Sequence, residues 1–292
     1  MSIRAQAVAI EPLNPTIGAI IRGVELSSPL SSIAIADIRR ALLRHQVVFF
    51  EDQRLTPVQQ RAFAACFGEL HIHPVYPQVD GVPEVFVLDN HAANPTDNNN
   101  WHTDVTFIET PPLGAVLYAE QLPPLGGDTI WSSMTAAYDA LSEPMCLMLG
   151  GLNAEHDFTK SFPPHLSVSR NAGAERYERA RDEHPPVVHP VIRTHPETGR
   201  PGLFVNDGFT TRILGLKPQE SRVLLDFLFN HIAKPEFLIR WQWKPGCVAL
   251  WDNRCTQHYA VNDYLPNRRI MRRATILGDR PYFEQRPKSS TV

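Results

Sequence analysis

Trp101-His102-Thr103-Asp104 places two metal-ligating side chains two residues apart, and His258 lies about 150 residues on, in Trp251-Asp252-Asn253-Arg254-Cys255-Thr256-Gln257-His258. In an extended segment side chains i and i+2 share a face. Read that way, His102 and Asp104 converge on one spot and His258 arrives from a distant strand as the third donor. Two imidazoles and a carboxylate on one face of an octahedral ion leave the opposite positions open, the arrangement that suits non-haem Fe(II) and O₂. The same donors suit zinc with one open position, so a zinc hydrolase is the alternative these residues leave standing. Any one of the twelve histidines taken alone reads as a hydrogen-bonded structural residue. The constellation, not the residue type, singles out His102 and His258.

A second kind of chemistry lies just downstream, in Arg268-Arg269-Ile270-Met271-Arg272-Arg273. A guanidinium fork meets a carboxylate in two parallel hydrogen bonds, which lysine cannot do. If this segment is a strand, Arg268 and Arg272 share one face and Arg269 and Arg273 the other. Alternation does not choose between the pairs, and it predicts that the outward pair is solvated.

The elements that must position these groups are mostly strands. Val47 to Phe50 is an apolar run, and residues 237–243 alternate apolar Phe237, Ile239, Trp241 and Trp243 with polar neighbours. Further strands are expected at 113–121, 126–131, 247–252 and 270–277. A helix is expected over about 34–44. Another opens at Thr56-Pro57-Val58-Gln59, where Thr56 and Gln59 form a capping box and Pro57 suits the first turn, and Gly68 is expected to end it. A third runs from Pro218 to His231, with Val223, Leu224, Phe227, Leu228 and Ile232 as its buried stripe. The Asn-rich stretch 94–100 reads as a loop leading into the metal segment. The fold class this suggests is mainly β with flanking helices: a double-stranded β-helix, the jelly roll of cupin type, as a single domain over 1–292 with helical insertions.

Net charge is −3 across 292 residues, which gives no electrostatic case for nucleic acid or an anionic membrane. No apolar run reaches membrane-spanning length, and the first residues lack a secretory pattern, so a cytoplasmic location is expected. Cys66, Cys146, Cys247 and Cys255 form no paired ligand motif and read as reduced, mostly buried thiols.

The chain resembles the Fe(II)- and 2-oxoglutarate-dependent taurine/alkanoate dioxygenase family nearly end to end. The resemblance is carried by Phe67-Gly68-Glu69-Leu70-His71-Ile72-His73-Pro74-Val75-Tyr76-Pro77, by Asn100 to Phe107, by Gly127-Asp128-Thr129, by Gly208-Phe209-Thr210-Thr211-Arg212 and by Trp251-Asp252-Asn253-Arg254. It implies Fe(II) as cofactor, 2-oxoglutarate and O₂ as cosubstrates, and release of sulfite from taurine with succinate as coproduct. It also implies roles. Arg269 and Thr129 would hold 2-oxoglutarate. Arg273, His73 and the Val105 amide would hold the sulfonate, with Tyr76 and Asn98 near the ammonium, although Asn98 could instead touch the oxoacid. Phe162 and Phe209 would wall the carbon chain, and His71 is left structural. A lid is expected within 75–100 or 159–185, and a homo-oligomer is implied without an identifiable interface. Two rival readings remain: a related alkylsulfonate or alkyl sulfate dioxygenase, and a non-catalytic metal-binding barrel.

Overall fold

The computed structural model describes residues 8–73, 76–95, 99–163 and 173–285. Among these residues nine strands form one large sheet, whose central members are Val47–Phe50, Val248–Asp252, Gly114–Gln121, Arg269–Ile276 and Val82–Asn90, in that spatial order. A second sheet of three strands, Leu238–Trp241, Thr129–Ser133 and Thr256–Ala260, faces it. Pairing within both sheets is antiparallel, apart from the parallel contact of Ala19–Arg22 with Val47–Phe50. This two-sheet arrangement is the jelly-roll architecture expected.

The period of two divides the large sheet into two faces. Val47, Phe49, Leu117, Ala249, Trp251 and Met271 point inward and pack with Trp131, Trp241 and Trp243 from the second sheet side. Phe49 stacks on Trp241 at 4.0 Å between ring centroids. The alternate residues Val48, Phe50, Val116, Leu250, Ala274 and Ile276 pack against Ile38, Leu42 and Phe63 of two covering helices. Both faces are therefore buried, which explains why Val47–Phe50 is apolar without interruption.

Those covering helices are Ser32–His45 and Pro57–Ala65. The first is capped by the Ser31 hydroxyl and stops at Gln46, whose left-handed φ of 66° turns the chain into Val47–Phe50. The second has the capping box expected of Thr56 and Gln59. Its end differs from expectation, since Cys66 closes the helix in a right-handed conformation and Gly68 lies beyond it. Gly68 serves close approach instead: a Cβ there would stand 2.9 Å from the Ile276 side chain.

A third apolar cluster joins Met134, Leu149, Ile192, Leu203, Leu225 and Leu228. The helix Pro218–His231 has the bounds expected, and Leu228 and Ile232 of its apolar stripe are buried with Leu224 packed beside them, but the stripe's other two members are not. Ser221, Leu225, Leu228 and His231 are buried, whereas Val223 and Phe227 are 64% and 43% exposed. Ser221 turns inward because its hydroxyl accepts the Ile213 N–H at 2.8 Å, so a polar residue takes a place that hydrophobicity alone assigned elsewhere. Residues 237–243 also depart in part: Pro235–Phe237 is a 3₁₀ turn, and the strand covers only Leu238–Trp241. No helix among the described residues is long and apolar enough to cross a membrane.

Candidate active site

His102, Asp104 and His258 meet between the two sheets, all buried. The Asp104 Oδ1 lies 3.8 Å from His102 Nε2 and 3.6 Å from His258 Nε2, and the imidazole centroids are 4.2 Å apart. The expected extended run over 102–104 is not what brings them together. His102 forms an isolated antiparallel bridge with His258, and the chain then enters a turn at Asp104. The lacing is continuous: His102 and His258 exchange backbone hydrogen bonds of 3.1 and 2.8 Å, and the Thr103 hydroxyl donates to the Thr256 carbonyl at 3.0 Å. Asp104 then donates its N–H to the Asn253 side chain at 2.8 Å.

The donor set fits a divalent ion in chemistry as well as in place. His102 Nδ1 sits 2.9 Å from the Asn100 carbonyl, which fixes its proton there and turns the Nε2 lone pair toward Asp104. Burial holds His258 neutral, well below the usual imidazole value, despite the nearby Asp104 charge. Burial alone would raise the Asp104 carboxyl, but the Arg273 guanidinium beside it outweighs burial and keeps Asp104 ionised far below the ordinary carboxylate range. Neutral imidazoles and an ionised carboxylate are the protonation states a metal requires.

Two adjoining cavities flank this cluster. One is lined by Leu88, Leu117, Thr129, Trp131, Trp251, His258, Arg269 and Arg273. Arg269 is 5% exposed and, among the described residues, pairs with no carboxylate; its Nε donates to the Gly127 carbonyl at 3.1 Å. Burial lowers its pKa to about 10, partly countered by Tyr264 and Asp128. A buried cation without a protein anion is costly, so a bound carboxylate fits this position. The Thr129 hydroxyl accepts the Trp243 indole N–H at 2.9 Å, which leaves its own proton for a ligand. Gly127 makes room: its φ is +74°, and a Cβ there would meet Arg269 Cδ at 3.0 Å.

The other cavity is lined by His73, Tyr76, Phe86, Leu88, His102, Asp104, Val105, Phe107, Phe162, Phe209 and Arg273. Six residues expected to contact substrate thus share one space, while Asn98 lies outside the described residues. Arg273 forms an ion pair with Asp104 Oδ2, a contact that alternation could not foresee. Its guanidinium also lies over the Trp251 and Phe86 rings, 5.0 and 5.7 Å from their centroids. His73 is held neutral chiefly by burial, and its Nδ1 accepts the Tyr76 N–H at 3.4 Å, which leaves Nε2–H as a donor. Phe107 is an aromatic wall that the sequence reading passed over; it meets Phe158 and Phe209 edge-on at 5.1 and 5.0 Å.

Alternation in Arg269–Ile276 holds for Arg269, Met271 and Arg273, which face inward, but the solvated reading fails for Arg272. Arg272 is buried on the helix side, over Tyr118 at 4.6 Å, paired with Glu120 at 2.9 Å and donating to the Leu55 carbonyl. Only Arg268 is outward and half-exposed, bound to Asp89. A second cluster, His195, Asp252 and Cys255, has ligand-like proximity. Its Asp252 is already taken by Arg254 and by His195 at 3.0 Å, and burial pushes the Cys255 thiol well up, so it reads as an ion network. A larger groove of about 620 Å³, lined in part by Tyr138, Cys146 and Phe283, contains none of the candidate ligands. Of the cysteines, Cys66 is exposed and the other three are buried.

A jelly roll with two imidazoles and a carboxylate between its sheets, and beside them a buried arginine that pairs with no carboxylate among the described residues, fits a metal-dependent oxygenase that takes a 2-oxo dicarboxylate. The chain belongs to the taurine catabolism dioxygenase TauD, TfdA family, whose pattern it matches over residues 9–275. The family's enzymes are dioxygenases that use Fe(II), 2-oxoglutarate and O₂. The chain is 39% identical to an alpha-ketoglutarate-dependent sulfate ester dioxygenase of Pseudomonas putida, covering 93% of this chain and 90% of that protein. A crystal structure of a taurine dioxygenase from Burkholderia xenovorans superposes with a TM-score of 0.80 at 39% identity, covering 94% and 92% of the two chains. The structure of AAD-2 in complex with Mn(II) and N-oxalylglycine superposes with a TM-score of 0.80 at 29% identity, covering 95% and 100%.

Proposed function

We propose that the chain uses O₂ to hydroxylate taurine at the carbon bearing sulfur, so that sulfite and aminoacetaldehyde leave while 2-oxoglutarate becomes succinate and CO₂, one oxygen atom entering the hydroxyl and the other succinate. His102, Asp104 and His258 are the metal ligands in this reading. Bound there, Fe(II) supplies the redox chemistry that couples oxidative decarboxylation of the oxoacid to hydroxylation of an unactivated C–H bond. Arg269 and the Thr129 hydroxyl hold the far carboxylate of 2-oxoglutarate in the Trp131 cavity. Arg273, the neutral His73 and the Val105 amide hold the sulfonate in the Phe107 cavity. A sulfonate stays ionised at any working pH, and its burial requires such donors. Tyr76, with Asn98 beyond the described residues, takes the ammonium end. Phe162 and Phe209 exclude water and keep the two-carbon chain short of any alternative pose. The hydroxylated carbon then loses its O–H proton, its C–S bond breaks, and sulfite departs with the electron pair.

The observation that carries this reading is the pair Arg269 and Arg273, two inward guanidiniums on one strand face beside the same triad, Arg269 lining one cavity and Arg273 standing where the two cavities adjoin. A sulfate ester would satisfy Arg273 equally, and a relative named for that activity is 39% identical. The aromatic closure around Phe107 favours the shorter substrate. The test is a comparison of sulfite formed from taurine with sulfate formed from a six-carbon alkyl sulfate, each per succinate. Taurine should give about one sulfite per succinate and the higher kcat/KM. Tight coupling with the alkyl sulfate and slow turnover of taurine would reassign the substrate.

A further inference from the structure

The Asp104 carboxylate can face the imidazoles only if its main chain is held, and a side chain outside the ligand set does this. Asn253 is 1% exposed and lies between the strands Val248–Asp252 and Thr256–Ala260. Its carbonyl oxygen accepts the Asp104 N–H at 2.8 Å. Its amide nitrogen donates to the carbonyls of Asp104 and Pro112, both at 3.1 Å. The Asn253 backbone N–H donates to the Leu113 carbonyl at 2.8 Å, which anchors the residue itself. Both donors and the acceptor of the amide are thus spent on main chain. The grip falls one residue before Val105, whose φ is +52°. A β-branched residue avoids that region, and such a conformation persists only where its surroundings over-determine it.

We infer that Asn253 is a positioning residue that sets the Asp104 carboxylate against His102 and His258 and, through the next peptide, the Val105 amide against the substrate cavity. Without it, the Asp104 N–H and carbonyl lose their buried partner, and Val105 is free to return to negative φ. Both groups would then swing together. This rests on the reading of His102, Asp104 and His258 as the metal ligands.

The experiment is a Co(II) titration of the full chain without oxoacid or substrate, alongside thermal unfolding. The variants are Asp104→Ala, Asn253→Ala and Gln60→Ala. Gln60 is the control, because it is buried and its amide likewise donates to two main-chain carbonyls, those of Val116 and Arg272, but to none of the triad residues. Asn253→Ala should raise the Co(II) Kd by about tenfold or more and shift the Co(II) d–d spectrum. Gln60→Ala should lower Tm but leave Kd within about twofold of the parent, the scale of effect expected of a site that shares no hydrogen-bond partner with the ligands. A wild-type Kd in Asn253→Ala, or an equal loss in Gln60→Ala, overturns the inference. Should Asn253→Ala not fold, Asn253→Asp keeps the acceptor for the Asp104 N–H and loses the donors; it should still weaken Co(II) by about tenfold, and wild-type affinity overturns the inference. Asp104→Ala separates the failures. If it binds Co(II) normally, the ligand reading is wrong; if it loses Co(II) while Asn253 variants do not, only the role of Asn253 falls.

Discussion

At the scale of single residues, charge without a protein partner is the strongest signal in the molecule. Most of its buried charges are matched: Arg193 with Asp279, Arg254 with Asp252 and Glu197, Arg272 with Glu120. Arg269 is not matched among the described residues, and its burial therefore points to a ligand. Replacing Arg269 with Gln should raise the 2-oxoglutarate KM by about 10- to 100-fold, the worth of a charge-assisted hydrogen bond of roughly 1.5–3 kcal/mol. The taurine KM should move far less, and Tm should not fall, because a buried unpaired cation has been removed. Steady-state kinetics with each substrate varied in turn, together with a melting curve, checks this. A drop in Tm with unchanged 2-oxoglutarate KM would make Arg269 a structural residue. His102, Asp104 and His258 were legible in residue type and spacing, whereas alternation left two arginine pairs open and the family resemblance pointed to Arg269 with Arg273. The Arg273–Asp104 contact was not legible, because alternation tells which face a side chain takes and not what waits there.

At the scale of elements, strands and turns position the site together: Thr129, His258, Arg269 and Arg273 stand on strands, and Asp104, Val105 and Phe209 in turns. The i, i+2 alternation expected across 102–104 named residues that do converge, but a bridge and a turn bring them together. Glycines mark where this geometry is tight. A Cβ on Gly208 would stand 2.8 Å from His102 Cβ, with Asn206 Oδ1 at 3.2 Å and Ser161 Oγ at 3.4 Å. The Cβ of His102 cannot move without moving its ring. Gly208→Ala should therefore cost about 1–3 kcal/mol of stability as an overpacked site and weaken metal binding by about tenfold, as loss of ligand support does. Equilibrium dialysis with Co(II) and denaturant unfolding measure the two effects. Unchanged metal affinity would mean that His102 has slack. Gly208 lay within the stretch that carried the family resemblance, yet nothing in the sequence linked it to His102, because the approach is between segments about 100 residues apart. The misread stripe of Pro218–His231 has a similar origin, with the Ser221 hydroxyl satisfied only by tertiary contact.

At the scale of the whole molecule, two sheets, a helical cover and a buried polar network share the work. Behind the substrate cavity, His189 Nε2 lies 2.9 Å from the Thr106 carbonyl and 3.0 Å from that of Ile108, while His156 Nδ1 lies 2.9 Å from the Thr106 hydroxyl. This network brackets Phe107, so the aromatic wall is held from the rear. Burial lowers the His189 pKa to about 4, from an ordinary value of 6.5. The folded state thus declines a proton that the unfolded chain accepts. The corresponding stability is complete above pH 6.5 and is lost as pH falls toward 4, up to about 3 kcal/mol by linkage. His189→Asn should flatten the loss of Tm across that interval, and an unaltered slope would exclude His189 as its source. The layout of two sheets was legible from alternation and apolar runs, whereas this network was not, since its histidines lie far apart in sequence and carry no ligand spacing.

The most direct test of the central claim is an anaerobic mixture of the chain with Fe(II) and 2-oxoglutarate, followed by visible absorption. The account predicts a charge-transfer band that shifts when taurine is added, and no band in Asp104→Ala. A silent wild-type protein, or an Asp104→Ala variant with the full band, would contradict it.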